Sequence, residues 1–308
     1  MRPSDVYVAV MSYQMGELLE NCVTSIARNV SDVKVAIYDD DSKDSETLNV
    51  LDRLSKYYSI YTSTELNERD RKTGGLYNNM NMAIENALSL QCKWIMFLQD
   101  DMQIVRRMDE DVWSEFGIIV SQEAPIVQIR IHFMKHPFVH SDHVPSVWKP
   151  TSDGKCYMAG EKTVGIFDTG LIRLDYIERA GFRFGGEELN NAGRAGELGW
   201  LSVFPFNPVA MFLPWPPTTA DRLRLPRRAL QAVTDRLLGV GFHRFRDMKP
   251  SEVERLRERP KEQLPYAERY LSLAGNEGLI RPWWYERSYK FVIKAMRQRG
   301  RGLRQRWE

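Results

Sequence analysis

The chain has 308 residues, 43% of them hydrophobic and 27% charged, which is an ordinary globular composition for one large domain or a domain with an appendage. The net charge of +2 is too small to indicate a nucleic-acid partner, and three widely spaced cysteines exclude a disulfide framework or a cysteine-rich zinc module. No apolar signal core follows Met1, and no uninterrupted apolar run of about 18 residues occurs. We therefore expect no transmembrane helix and a cytoplasmic location.

The first hundred residues alternate between apolar strand patterns and helical stripes. The predicted elements are a strand over 6–11, a helix over 17–30, a strand over 33–38, a helix over 45–57, a weaker strand over 58–63, a helix over 76–90 and a strand over 94–98. Strands that alternate with helices are typical of an α/β fold with a mainly parallel central sheet flanked by helices.

The second half continues with less regular patterns. We predict a helix over 109–120, a strand over 126–133, an irregular loop over 132–148, a strand and turn within 163–174, helices over 175–180 and 185–198, and final buried strands over 200–213. From Arg222 onward the pattern favours charged helices. The expected organisation is one domain over residues 1–220 and a helical C-terminal extension with a basic tail over 221–308.

Acidic residues follow two of the predicted strands directly. Asp39, Asp40 and Asp41 end one strand, and Asp100 and Asp101 end another. Ligands of open parallel sheets bind outside the carboxyl ends of the strands. Two adjacent acids at such an end indicate a divalent cation shared with phosphate, although a solvated turn is the simpler alternative for each cluster. For Asp39 that alternative is a turn or helix-capping acid near Ser42.

Two further clusters have open interpretations. A basic loop with Arg69, Arg71 and Lys72 ends in Gly74 and Gly75, whose amides suit phosphate, but a solvated basic loop explains it equally well. The loop is neither a dinucleotide fingerprint nor a P-loop. Four histidines, His132, His136, His140 and His143, raise the question of a zinc site. An acceptor-binding loop or plain surface fits them better.

The order of motifs resembles an inverting family 2 glycosyltransferase of the GT-A fold. The matching pieces are Val8-Ala-Val-Met-Ser-Tyr13, Ala36-Ile-Tyr-Asp-Asp-Asp-Ser-Lys-Asp44, the helix start at Gly74 to Ala83, Phe97-Leu-Gln-Asp-Asp101, Asp168-Thr-Gly-Leu-Ile-Arg-Leu174 and Gly186-Glu-Glu-Leu189. Three features depart from the family pattern, and one of them is the helix start Asn78 to Asn81, which lacks the usual alanine and arginine. Asp41 stands where glycine is usual, and Gln99 replaces the first acid of the D-x-D motif.

This resemblance implies roles for individual residues. Asp39 would accept a hydrogen bond from the nucleotide base, Asp101 would ligate Mg²⁺ or Mn²⁺, and Glu187 or Glu188 would be the general base, with a slight preference for Glu187. Partial burial would raise the pKa of that glutamate toward neutrality. The remaining donor-binding positions are Ser12, Tyr13, Asp41, Gly74, Gly75, Asn79 and Asp100.

The sequence therefore predicts a metal-dependent inverting glycosyltransferase that moves a sugar from a nucleotide-diphosphate donor, best a UDP-sugar, to a glycan or lipid-linked acceptor. A non-catalytic sugar-nucleotide or glycan-binding module stays open because of Gln99, and a nucleotidyltransferase is disfavoured because no Gly-rich, Lys-bearing loop follows Met11. The basic C-terminus predicts either peripheral contact with anionic phospholipid on the cytoplasmic face or a disordered tail. No nucleic-acid partner is expected.

Overall fold

Two layers of helices cover a nine-stranded sheet in the computed structural model, which describes residues 1–62, 75–135, 148–159, 164–213 and 242–275 and the isolated positions 229, 233 and 236. The strands are β1 (Val6–Ser12), β2 (Lys34–Asp39), β3 (Ser59–Thr62), β4 (Trp94–Gln99), β5 (Met102–Ile104), β6 (Ile126–Ile129), β7 (Lys149–Pro150), β8 (Cys156–Met158), β9 (Gly170–Arg173), β10 (Leu201–Pro205) and β11 (Ala210–Phe212). The helices are α1 (Gly16–Asn29), α2 (Ser45–Leu54), α3 (Leu76–Ser89), α4 (Glu110–Val120), α5 (Leu174–Ala180), α6 (Glu188–Glu197), α7 (Pro250–Arg257) and α8 (Ala267–Tyr270).

The main sheet has the strand order β3-β2-β1-β4-β9-β6-β10-β8-β7. Strands β1 to β4 are mutually parallel, β9 is antiparallel to both of its neighbours β4 and β6, and β10 is parallel to β6. Only β8 and β9 run against the other seven strands of this sheet. The predicted α/β class with a mainly parallel sheet is therefore confirmed.

The apolar runs of the sequence are continuous because the central strands are buried on both faces. In β1, Val6, Val8 and Val10 pack into the core beneath α1, α2 and α4. The alternate residues Tyr7 and Ala9 pack into the core beneath α3, α5 and α6. Side chains of a strand alternate between faces, so a strand between two helical layers needs apolar residues at every position.

Part of the predicted C-terminal extension packs against the main domain. Phe245, Leu256 and Tyr270 share a buried cluster with Val105 and Met211, next to the small sheet formed by β5 and β11. Helix α7 begins with Pro250 at its first position, as proline's fixed φ favours. The basic tail lies outside the described residues. Among the described helices, none combines the length and the apolar character needed to span a membrane.

Several elements differ from the sequence-based expectations. Helix α6 begins at Glu188 rather than Gly185, since Gly186 has a positive φ of 73° that does not fit a right-handed helix. Helix α5 ends at Gly181 as predicted, in the left-handed conformation with φ 56°. Strands β7 and β8 follow the segment 132–148 that was predicted to be irregular, and β6 ends at Ile129, four residues earlier than expected.

Gly170 allows β9 to fit between β4 and β6. It has φ 121°, and a Cβ atom there would approach the carbonyl oxygen of Ile129 to 2.5 Å. We expect Gly170→Ala to lower the free energy of unfolding by about 3 kcal/mol or more, because both backbone strain and a clash with backbone oppose it. Urea denaturation measures the effect.

Gly193→Ala is the matched control. Gly193 lies within α6 with nothing near its added Cβ. Alanine should raise the free energy of unfolding there by about 0.5–1 kcal/mol. Equal effects of the two substitutions would contradict the assignment of Gly170 as a position that requires glycine.

Candidate functional site

The parallel register brings the two acidic clusters to one edge of the sheet. Ser12 pairs with Asp39 and Met11 pairs with Gln99, so β1, β2 and β4 end side by side. We call this the carboxyl edge, formed by Ser12, Asp39, Gln99 and, on the far side of β9, Ile129. Asp40 follows β2 and Asp100 follows β4, with β1 between them.

Backbone hydrogen bonds fix the geometry of this edge. The Tyr13 amide donates to Asp100 Oδ2 at 3.0 Å, and the Gly75 amide donates to Asp40 Oδ2 at 2.8 Å. The amides of Asp40 and Asp100 donate to the carbonyl oxygens of Ser12 and Met11, both at 2.9 Å. The Asp100 carboxylate therefore joins the end of β4 to the loop after β1, and the Asp40 carboxylate joins the end of β2 to the start of α3.

Asp39 closes a turn in this structure. It is 2% exposed, and its two oxygens accept hydrogen bonds from the Ser42 amide and the Ser42 hydroxyl, both at 2.7 Å. The alternative reading as a turn acid near Ser42 is thus what the contacts show, while each oxygen keeps a second lone pair for a base N–H. Asp41 is exposed, has φ 57° and pairs with Lys43. That left-handed conformation explains why glycine is usual at this position in the family that the sequence resembles.

Asp100 and Asp101 are like charges at the end of a buried strand. The pKa of Asp100 is raised to about 8, first by burial and then by the charge of Asp101. The backbone of Asp101 is fixed because its carbonyl oxygen accepts from the Leu213 amide at 2.6 Å. A bound cation would relieve the repulsion between the two carboxylates.

The donor set fits a metal that is shared with a ligand. Within the described ranges, no group of three or more His, Cys, Asp or Glu side chains is arranged to hold a metal ion. Mg²⁺ commonly binds through one or two carboxylates and completes its shell with water and substrate phosphates. Asp101 and Asp100 supply such carboxylates, so the residues suit Mg²⁺ or Mn²⁺ together with a diphosphate rather than an all-protein cage.

The start of α3 contributes both open and structural groups. Asn79 is 1% exposed, and its Oδ1 atom is buried without a hydrogen-bond partner, as is Ser12 Oγ on the neighbouring strand. Asn81 instead exchanges two hydrogen bonds with the backbone of Phe184, both 2.9 Å long, and so ties α3 to the segment before α6. Gly74 and the basic residues of its loop lie outside the described residues.

The predicted general bases are exposed. Glu187 precedes α6 as its N-cap residue without a side-chain capping bond, and Glu188 is the first residue of the helix. The expected partial burial of these glutamates is therefore wrong for this structure. The charge of Glu188, however, contributes to the raised pKa values of Tyr77 and Asp168 and opposes the lowering of the pKa of Arg130 by burial, so Glu188 lies near these three groups. Glu187 is not among the causes of any of these three shifts.

Asp168 is an acid of the site that sequence reasoning did not select. It lies two residues before β9, next to the end of β4, because Gly170 pairs with Phe97. Its Oδ2 atom accepts from the Tyr77 hydroxyl at 3.2 Å, and its Oδ1 atom is buried without a partner. Burial, followed by the charge of Glu188, raises the pKa of Asp168 to about 7. The sequence shows only a short Asp-Thr-Gly turn here, and the contact with α3 is long-range.

Lys135 is a second group that the sequence did not reveal. Burial lowers its pKa to about 8, and the charges of Asp101 and Glu268 oppose that shift. An ammonium group near Asp101 adds positive charge where phosphate would bind. Its neighbour His132 packs edge-on against Phe204 and Phe212, at 5.1 and 5.0 Å between ring centroids. The other three histidines of the predicted cluster lie outside the described residues.

Comparisons with known proteins place part of this chain in a known family. Residues 7–119, from β1 into α4, match the family model of Glycosyl transferase family 2, which confirms the resemblance seen in the motifs. Among curated proteins, none matches the chain significantly.

Three solved structures are similar to the chain over most of its length. TarS from S. aureus has 13% sequence identity and a TM-score of 0.49, with 82% of this chain and 42% of that chain covered. The mannosyltransferase PcManGT from Pyrobaculum calidifontis, in complex with GDP-Man and Mn²⁺, has 15% identity and a TM-score of 0.48, with 76% and 63% covered. Glucosyl-3-phosphoglycerate synthase from Mycobacterium tuberculosis, in complex with Mn²⁺, UDP and glucosyl-3-phosphoglycerate, has 13% identity and a TM-score of 0.42, with 79% and 84% covered. This chain thus spans less than two thirds of the first two structures.

The pKa of Asp168 predicts a pH dependence of stability. The pKa rises from 3.8 to about 7 on folding, so the folded state holds a proton that the unfolded state releases between these values. Stability should therefore fall as pH rises from about 4 to about 7, by at most about 1.4 kcal/mol per pH unit, and then level off. Asp168→Asn should remove this contribution, as urea unfolding of both proteins from pH 5 to 7.5 would show.

The exposed Glu197→Gln on α6 is the control for that experiment and should follow the unsubstituted protein. If the difference in stability between the unsubstituted protein and Asp168→Asn stays constant across this pH range, the raised pKa of Asp168 is contradicted.

Proposed function

We propose that the protein transfers a sugar from a nucleotide-diphosphate donor to an acceptor hydroxyl, with inversion at the anomeric carbon and with a divalent metal ion, since residues 7–119 match the family model of Glycosyl transferase family 2. The observation that supports this most is the convergence of Asp40, Asp100 and the Tyr13 and Gly75 amides at the carboxyl edge. These amides already donate to the two carboxylates and so hold them at the strand ends, where a metal ion and a diphosphate could bind.

In this proposal the nucleotide binds over the ends of β1 and β2. Asp39 holds the turn that receives the base, and its remaining lone pairs accept from a base N–H such as that of uracil. Ser12 Oγ and Asn79 Oδ1 have no hydrogen-bond partner among the described residues; the Ser12 hydroxyl could donate to a phosphate, and Asn79 Oδ1 could accept from a ribose hydroxyl. Tyr13 is 52% exposed and can cover the base.

The diphosphate binds beside Asp100 and Asp101. A metal ion bound there would neutralise the negative charge that develops on the departing nucleotide. Lys135 adds positive charge from the other side, since its charge and that of Asp101 interact. The chain's own part is to hold the two carboxylates in place through β4 and the Tyr13 amide.

Glu188 is the proposed general base that takes the proton of the acceptor hydroxyl. Among the two predicted glutamates, only Glu188 influences the groups at the carboxyl edge, which favours it over Glu187. Asp168 is a second candidate, because a carboxyl group with a pKa of about 7 is well matched to proton transfer at neutral pH. Tyr77 orients Asp168 through its hydroxyl.

We propose a glycan or lipid-linked glycan as the acceptor and the cytoplasmic side of the membrane as the place of action. The basic C-terminal residues, which lie outside the described ranges, would attract anionic headgroups at about 1 kcal/mol per basic residue. A non-catalytic sugar-nucleotide-binding module is the second candidate function. The exposure of both Glu187 and Glu188 and the amide at Gln99 favour that alternative.

The base assignment predicts different effects of two neighbouring substitutions. Glu188→Gln should lower kcat for transfer by about 10²- to 10⁴-fold with unchanged nucleotide affinity, because only the proton acceptor is lost. Glu187→Gln, on the adjacent exposed position, should retain most activity. Nucleotide release from a panel of UDP- and GDP-sugars, with glycan acceptors present, measures both.

A large loss in Glu187→Gln alone would reverse the assignment of the two glutamates. A loss in Asp168→Asn with full activity in Glu188→Gln would move the base to Asp168. If the unsubstituted protein binds nucleotides but releases no product from any donor, the non-catalytic alternative is supported instead.

Asp101→Asn tests the metal assignment. We measure the affinity for UDP or GDP in the presence of Mn²⁺ from the rise in Tm as the nucleotide is titrated. This affinity should fall by about tenfold or more in the variant, because one ligating charge is lost. Gln99→Asp restores an acid at the first position of the motif and should strengthen the same response. Asp52→Asn, an exposed acid on α2, is the control. Unchanged nucleotide affinity in Asp101→Asn would remove this residue from the metal site.

A further inference from the structure

Arg130 is a buried cation that forms no ion pair with an acid of the described residues. It follows β6 directly and is 8% exposed. Its Nε atom donates to Ser202 Oγ at 3.0 Å, while its Nη2 atom is buried and has no hydrogen-bond partner. No carboxylate of the described residues forms an ion pair with it. An isolated buried charge costs several kcal/mol, so this guanidinium needs a counter-ion from elsewhere.

Aromatic rings offset only part of this cost. The guanidinium carbon lies 3.6 Å from the centroid of the Phe167 ring, 5.1 Å from that of Phe204 and 5.7 Å from that of Trp148. Desolvated cation–π contacts stabilise the guanidinium, but ring faces do not satisfy the N–H groups in its plane. Burial still lowers the pKa of Arg130 to about 9, and the charge of Glu188 opposes that shift.

The surroundings of Arg130 are fixed in advance of any ligand. Gln128 Nε2 donates to the carbonyl oxygens of Phe167 and Thr169 at 2.7 and 2.9 Å, and Gln128 Oε1 accepts from the Phe167 amide at 2.9 Å. The Ser202 hydroxyl donates to the same Oε1 atom at 2.7 Å. One glutamine therefore holds both the stacked ring and the hydroxyl that orient the guanidinium, as a preorganised binding site requires.

The position of Arg130 separates it from the nucleotide. Strand β6 runs in the same direction as β4, because β9 between them is antiparallel to both, so Arg130 lies at the carboxyl edge. It is two strands from β4, or roughly 10 Å, on the side away from β2. Asp39 lies two strands from β4 on the opposite side. Arg130 and Glu188 thus belong to the half of the edge that the donor nucleotide leaves open.

We propose that Arg130 binds an anionic group, a phosphate or a carboxylate, of the acceptor molecule. A guanidinium forms paired hydrogen bonds with either group, which would satisfy the Nη2 atom and neutralise the buried charge. The acceptor hydroxyl would then be held near Glu188. This inference rests on the proposed function, since it assigns the second substrate of the same site.

Arg106 provides a matched control. It is 2% exposed and its pKa is also lowered by burial, to about 10. Unlike Arg130, its Nε and Nη2 atoms donate to the carbonyl oxygens of Pro208 and Asn207 at 2.9 and 2.7 Å. Removing Arg106 leaves carbonyl groups without donors, whereas removing Arg130 takes away a donor that lacks a partner.

The test compares Arg130→Met and Arg106→Met in the full chain. Tm is measured while inorganic phosphate is titrated, with and without saturating Mg²⁺ and UDP or GDP. Phosphate should raise the Tm of the unsubstituted protein and of Arg106→Met. In Arg130→Met, a given rise in Tm should need a phosphate concentration at least about tenfold higher. The Tm of this variant without phosphate should equal or exceed that of the unsubstituted protein. Arg106→Met should lower the Tm without phosphate.

An unchanged phosphate response in Arg130→Met would overturn the proposal. If the Tm of Arg130→Met without phosphate also falls as in Arg106→Met, Arg130 has only a packing role. Should Arg130→Met fail to fold, Arg130→Lys is measured, where loss of the planar fork should weaken the response and an unchanged response overturns the proposal. If neither nucleotide binds while phosphate still depends on Arg130, the proposed function fails and the anion site stands.

The source of the anion is tested with two donors. UDP-glucose and UDP-glucuronate should bind with equal affinity to the unsubstituted protein and to Arg130→Met, because the anion belongs to the acceptor. A preference for UDP-glucuronate that disappears in Arg130→Met would place the anion on the donor sugar and overturn the acceptor assignment.

Discussion

The confinement of Asp100 and Asp101 at the end of a buried strand is the constraint on which the site depends, because burial and then the charge of Asp101 raise the pKa of Asp100 to about 8. Both acids follow β4, which is locked between β1 and β9 and buried on both faces, so they cannot move apart without disrupting the sheet. The Tyr13 amide holds Asp100, and the Leu213 amide holds the backbone of Asp101. A metal ion shared with phosphate would favour the ionised form of Asp100 and would let both carboxylates act as ligands.

Strand β4 also divides the carboxyl edge into two halves of different chemistry. On the β2 side, backbone amides and acidic side chains are arranged around the turn at Asp39. On the β6 side, the groups are Asp168, Glu188 and the buried Arg130, whose charges influence one another. Because β9 runs antiparallel between β4 and β6, the Asp168 loop reaches this edge from the opposite direction and connects the two halves. We infer that the donor occupies the first half and the acceptor the second.

The sequence predicted the parts that depend on local patterns. The continuous apolar runs of β1 and β4, the stripe of α1 and the acids at Asp39 and Asp100 are all readable because strand ends and ligand-binding edges coincide in parallel sheets. What escaped prediction depends on long-range pairing. In the sequence, Asp168 belongs to a short turn, and only the pairing of β9 places it beside β4. Arg130 belongs to an alternating strand pattern, and only the structure shows that it is buried with no hydrogen-bond partner for its Nη2 atom among the described residues. Likewise, the exposure of Glu188 follows from how Gly186 delays the start of α6.

A crystal structure with a nucleoside diphosphate and Mn²⁺ tests the central claim most directly, since manganese is located by its anomalous scattering. The account predicts a manganese peak within coordination distance of a carboxylate oxygen of Asp101, a diphosphate bound to that ion, and the base above the turn at Asp39. A nucleotide bound elsewhere, or a manganese ion that does not contact the acids following β4, would contradict it.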